Sequence, residues 1–197
     1  MAENGPEGGV PLYQLKITLK WSKPQIWRRI LVRQDMRLDR LHMVIQSVMP
    51  WTNSHLHQFV VGRTAPVYYG VPDPEFGGIE SEELNEKRYT LADLAPAVKS
   101  KFIYEYDFGD DWLHEVVVEK VLPPDANFKH PVCLTGANAC PPEDCGGMGG
   151  YYNLLEALAN PNHPNHKDLT EWMGGEPWDP ERFDLAETNE YLKRLKP

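Results

Sequence analysis

Residues 136–151 read Gly-Ala-Asn-Ala-Cys-Pro-Pro-Glu-Asp-Cys-Gly-Gly-Met-Gly-Gly-Tyr, and few backbones accommodate such a run. Pro141 and Pro142 break any regular element, while the glycines at 146, 147, 149 and 150 permit sharp turns and close packing. The segment must therefore turn and then enter a helix, carrying Cys140, Glu143, Asp144 and Cys145 on its bend. The rest of the chain is expected to be scaffold around it.

A chain of 197 residues is long enough for one domain with a full hydrophobic core. The expected organisation is a single compact domain over residues 11–197, preceded by a disordered Gly-rich tail at 1–10. The 18 prolines and 15 glycines predict several long ordered loops. No apolar run approaches the roughly 20 residues that cross a bilayer, and the first residues lack the features of a signal peptide. A cytoplasmic protein with no membrane partner follows. Three cysteines, an odd count, fit free thiols or metal ligands better than disulfides.

Residues 13–19 alternate apolar and polar side chains, the period of a half-buried strand, and residues 26–33 read as its antiparallel neighbour. Arg28 and Arg29 then point to opposite faces, one of them partly buried and paired. Leu41, Val44, Ile45 and Val48 recur at helical spacing behind Asp39, a candidate N-cap. A third strand ends near Val61, with His55 and His57 on one of its faces. Residues 62–87 carry three prolines, four glycines and an acidic run from 80 to 86, which predicts a mobile surface excursion. Thr90 and Asp93 form a capping box, and residues 101–121 are a hairpin about Gly109-Asp110-Asp111. Helices are expected over 151–158, 168–173 and 184–195. Strands early and helices late favour an α+β fold, an antiparallel or mixed sheet with helices packed on it.

The formal charge of -9 disfavours indiscriminate binding to a phosphate backbone. Yet residues 11–40 hold eight basic side chains against only Asp35 and Asp39. Arg28, Arg29, Arg33 and Arg37 are therefore candidate binding residues, unless they are simply the solvated sides of two strands and a helix. Trp21, Trp27, Trp51, Tyr68 and Tyr69 are aromatic platforms for a nucleic acid or, equally, core and loop anchors.

Two clusters have metal-binding chemistry. His130, Cys133, Cys140 and Cys145 offer four soft ligands for a structural zinc, although buried thiols shaping a loop explain them as well. Asp107, Asp110, Asp111 and His114 lie around one turn, and with His55 and His57 could hold a divalent ion that activates water on a phosphoester. The structural alternative makes the aspartates turn formers, pairs Asp107 with Arg28 or Arg29, and leaves the histidines hydrogen-bonded in the core. Gly146 to Gly150 opens a helix whose amides could bind an anion, or it serves close packing.

Several motifs together resemble a known family. Pro24-Gln-Ile-Trp-Arg-Arg-Ile30, Leu41-His42, His55-Leu-His-Gln-Phe59, Tyr106-Asp-Phe-Gly-Asp-Asp-Trp112 with His114, and the run from Cys133 to Gly147 are similar, in order and in most letters, to the plasmid pRiA4b ORF-three-like family. The resemblance spans roughly residues 13–195. It implies a compact α+β domain of mobile-element association and no established biochemistry. No nucleophilic serine stands in an arginine-rich setting that would support the resolvase-like label some members carry. The expected function is a non-enzymatic binding or accessory module whose partner is a nucleic acid or a protein. The other class left open is a metal-dependent phosphoesterase or nuclease, with zinc or another divalent metal as cofactor.

Overall fold

Alternation in the first segment becomes one face of a strand: Tyr13, Leu15, Ile17 and Leu19 are buried on β1 (Leu12–Leu19). The computed structural model describes residues 9–72, 84–175 and 177–195. Among these residues seven further strands join β1 in a single sheet: β2 (Trp27–Arg33), β3 (His57–Val61), β4 (Val67–Gly70), β5 (Leu84–Asn85), β6 (Lys101–Tyr106), β7 (Trp112–Leu122) and β8 (Val132–Ala137). Their order is β5-β4-β3-β6-β7-β1-β2-β8, antiparallel throughout except for the parallel pair of β4 and β5. The helices are α1 (Leu38–Val48), α2 (Leu91–Leu94), α3 (Gly147–Ala159), α4 (His166–Trp172) and α5 (Leu185–Arg194). The fold is α+β with a mixed sheet, as the pattern of elements predicts.

One sheet face supplies Ile30, Phe59, Tyr104, Trp112 and Val116 to the core, and α1 covers it with Leu38, Leu41, Val44, Ile45 and Val48. Burial of these apolar side chains, each contributing about 1.5–3 kcal/mol, is the main force holding helix to sheet. The opposite face is polar, as in many antiparallel sheets. There Arg29 grips Glu119 of β7 in a two-toothed pair at 2.6 and 2.9 Å, and Gln14 joins it at 2.7 Å.

Arg28 faces inward. It is 2% exposed, and its guanidinium donates to the carbonyls of Val48, Trp27, Ala137 and Asn138 at 2.8–2.9 Å while lying 4.3 Å from the Phe183 ring centre. The carbonyl of Val48 is an orphan of the α1 C-terminus, where a cation is favoured. Gly136, opposite Arg28 on β8, leaves the room this requires, since a Cβ there would stand 2.8 Å from the arginine Cδ. Two of the motifs picked out in the sequence thus form one lock.

Several expectations are corrected. The strand β8 was not anticipated, because Val132 to Ala137 lacks clean alternation and lies on an edge. Helix α1 starts at Leu38 with Arg37 at the N-cap position, and Asp39 sits in its first turn, paired with Arg37. Helix α3 starts at Gly147, four residues before the expected 151. The excursion at 62–87 is partly regular: β4 pairs with β3, and Glu86, read as one of a run of surface acids, is 3% exposed and bonded to His57. Residues 73–83 of that excursion and 1–8 of the tail lie outside the described residues. Thr90 and Asp93 form the expected capping box, the carboxylate accepting from the Thr90 amide and hydroxyl at 2.7 and 2.8 Å.

Candidate functional site

Antiparallel pairing of β3 with β6 and of β6 with β7 brings the start of β3, the end of β6 and the start of β7 to one edge. Across it the Asp107 amide donates to the Leu56 carbonyl at 2.8 Å, which places His55 beside the turn that joins β6 to β7. The segment from Cys140 to Gly147 folds over the same edge. Glu143 fastens it by accepting from the Thr52 hydroxyl and the Tyr106 phenol, and the Gly146 amide donates to the Asp110 carboxylate at 3.2 Å. Gly147 is needed for this docking, because a Cβ would stand 2.5 Å from the Asp110 carbonyl.

The result is a cluster drawn from three segments. His55 Nε2 lies 3.1 Å from Asp144 Oδ1 and 3.7 Å from Asp107 Oδ2. Among the described residues only His55, Asp107 and Asp144 bring three ligand-type atoms within 4.8 Å of one another. Asp107 is buried, with its Oδ1 held by the Gly109 amide at 2.9 Å, whereas Asp144 is exposed. Both have left-handed backbones, with φ of 59° each, and Asp111 is at 55°. Side-chain-bearing residues adopt this region at a cost, and such costs concentrate at functional sites.

Of the six residues singled out for a metal-dependent site, the structure gathers only His55 and Asp107. Asp144, the third member, was read as part of a cysteine motif. Its signal was its place on the loop, but nothing in the sequence says where that loop docks. His57 begins β3 and turns inward to Glu86 at 2.8 Å, so the two histidines do not share a site. His114 is wholly buried, its Nδ1 donating to the Tyr104 carbonyl at 3.2 Å. Asp110 accepts from the amide of Gly146, the N-cap residue of α3, so the glycine-rich helix start already faces a carboxylate of the chain itself. Asp107 pairs with neither Arg28 nor Arg29. Asp111 is exposed at the turn.

The four proposed zinc ligands are not assembled. Cys133 lies on β8, His130 lines a cleft at the other end of the sheet, and burial pushes the thiols of Cys133 and Cys145 up to about 11 and about 12, with Cys140 higher still. These thiols stay protonated and pack as apolar groups.

The cleft is the second candidate. It encloses about 640 Å³ between the end of β2, helix α1, residues 128–131 and the end of α5. Arg33, Arg37, Arg40, Lys129 and Arg194 line it over a floor that includes Met43, Val44 and Phe128. Arg33 and Arg37 are held in two-toothed pairs by Asp35 and Asp39, which keep both guanidinium pKa values above their ordinary range. Arg40, Lys129 and Arg194 have no carboxylate partner within ion-pair distance among the described residues. Two of the four arginines expected to bind therefore do face a cleft. Arg28 is buried and Arg29 sits on the polar sheet face. Lys129 and Arg194 were missed because they reach the cleft from distant parts of the chain. Trp51, grouped with the stacking aromatics, is instead a core residue at 7% exposure that donates to the Pro141 carbonyl at 3.0 Å.

The two candidates sit at opposite ends of the 11-residue β7, about 34 Å apart along the strand. Fold and sites define a small α+β domain with a cationic cleft at one sheet end and an imidazole-carboxylate cluster at the other. The chain belongs to the family described as plasmid pRiA4b ORF-3-like protein, which matches residues 11–187. The uncharacterised protein y4hQ of Sinorhizobium fredii (strain NBRC 101917 / NGR234) is 38% identical over 183 residues, 92% of this chain and 91% of its own. A crystal structure of a protein of unknown function, MM3350 from Methanosarcina mazei Go1, is 35% identical and superposes with a TM-score of 0.80, covering 90% of this chain and 97% of that one. No helix among the described residues is long and apolar enough to cross a membrane.

Proposed function

We propose that the protein is a non-enzymatic binding module that holds a short stretch of single-stranded nucleic acid in the basic cleft. The observation that carries this reading is the convergence of five cationic side chains from four chain segments on one cleft in a chain of formal charge -9. Its volume is that of a small-ligand site, which suits one or two nucleotides rather than the face of a duplex. Arg40, Lys129 and Arg194 are available to phosphates, and the Phe128 ring and the apolar floor offer a surface for a base. The acidic remainder of the chain limits binding elsewhere.

The test is fluorescence anisotropy with a labelled single-stranded oligonucleotide over a salt series. Three released counterion contacts give a slope of log K against log salt near -2. Arg40→Glu combined with Lys129→Glu is expected to weaken binding at least tenfold, about 1.4 kcal/mol. No binding at low salt, or binding indifferent to the double reversal, would remove nucleic acid as the ligand.

A further inference from the structure

We infer that His55, Asp107 and Asp144 form a binding site for a divalent first-row transition ion, independent of the basic cleft. Four ligands held about 2.1 Å from an ion stand about 3.4 Å apart in a tetrahedron and about 3.0 Å apart at the adjacent corners of an octahedron. The separations of 3.1 and 3.7 Å from His55 Nε2 to the two carboxylate oxygens lie around that spacing. The 3.7 Å separation is too long for a direct hydrogen bond, and the 3.1 Å contact lacks hydrogen-bond geometry. His55 Nε2 is sealed from solvent, yet it makes no hydrogen bond among the described residues, although two carboxylates flank it. An imidazole nitrogen that makes no hydrogen bond while facing two carboxylates is placed as a metal ligand would be.

The surroundings agree. The ion pairs of Asp107 and Asp144 include only His55 and no Lys or Arg among the described residues, so two carboxylates face each other without a fixed counter-charge. A dication supplies it. Asp107 Oδ1 is held by the Gly109 amide, which aims its other oxygen at His55, and this is the support that metal carboxylates commonly have. One nitrogen and two oxygens suit manganese, cobalt, iron or zinc better than calcium, and they leave coordination positions open.

Manganese alone is the probe, added to chelator-treated full-length protein and followed by loss of the free-ion EPR signal. The expected result is about one Mn2+ per chain. Asp144→Asn, at a side chain 70% exposed and hence safe for folding, is expected to weaken binding at least tenfold, and so is His55→Gln. The Arg40→Glu, Lys129→Glu protein should bind the ion as the wild type does. Absence of binding up to millimolar ion, or equal affinity in wild type and Asp144→Asn, overturns the site.

Discussion

Arg28→Met is expected to cost the fold about 3–5 kcal/mol, whereas Arg29→Met, one residue further along, should cost about 0–1. Neighbouring arginines of one strand separate so widely because the pleat sends them to opposite faces. Arg29 meets Glu119 where both side chains keep about a quarter of their exposure, at 29% and 24%. Water replaces that partner readily. Arg28 instead satisfies the carbonyl at the end of α1 and two at the end of β8, and its removal leaves Val48, Ala137 and Asn138 without the donors they use in the buried interior. Methionine fills much of the volume and supplies no donor, so the substitution isolates the hydrogen bonds from the packing. Urea unfolding of the two variants measures the difference. Equal loss in both would mean that the carbonyls are satisfied in another way and that Arg28 is not the tie between helix and edge strand.

The core of this architecture was legible because it rests on local periodicity. Alternation located β1, β2, β6 and β7, and helical spacing located α1, since both patterns reflect a choice between core and solvent made residue by residue. Elements stabilised by their neighbours were not legible. β8 is a strand because β2 offers it an edge, and β4 forms because β3 does. The candidate sites failed to appear whole for the same reason. His55 and Asp107 carried a signal as a histidine beside a strand and an aspartate at a turn, but Asp144 joins them only through the docking of residues 140–147 on that turn. The pairing of Glu86 with His57 brings together residues 29 apart in the chain, and charge alone assigned that glutamate to the surface.

Stability should fall steeply as pH drops from 6.5 towards 4, because two core histidines are held neutral in the folded protein. His42 sits in a closed ring of hydrogen bonds: the Gln46 amide donates to the Tyr104 oxygen at 3.0 Å, the Tyr104 phenol to His42 Nδ1 at 2.8 Å, and His42 Nε2 to Asn53 Oδ1 at 2.7 Å. The Asn53 backbone N–H closes the ring by donating to Gln46 Oε1 at 2.9 Å. Only an imidazole with one proton serves both neighbours. Burial, with the His57 ring stacked 3.5 Å away, lowers the His42 pKa to about 3, and burial lowers that of His114 to about 4. Protonated His114 would carry an N–H at Nε2, an atom that has no hydrogen-bond partner among the described residues. Both values lie below the ordinary 6.5, so the unfolded chain takes up protons first as pH falls. The contribution is fully present above pH 6.5 and is lost on the way down to the folded values. Each histidine removes about 1.4 kcal/mol per pH unit in that window, and the pair about 2–3. Denaturant midpoints at intervals from pH 7 to pH 4.5 give the slope and hence the protons bound on unfolding. His42→Gln should lower that number by about one. A stability flat between pH 6.5 and 5 would show that these rings are protonated in place and that the network around Tyr104 adapts to the charge.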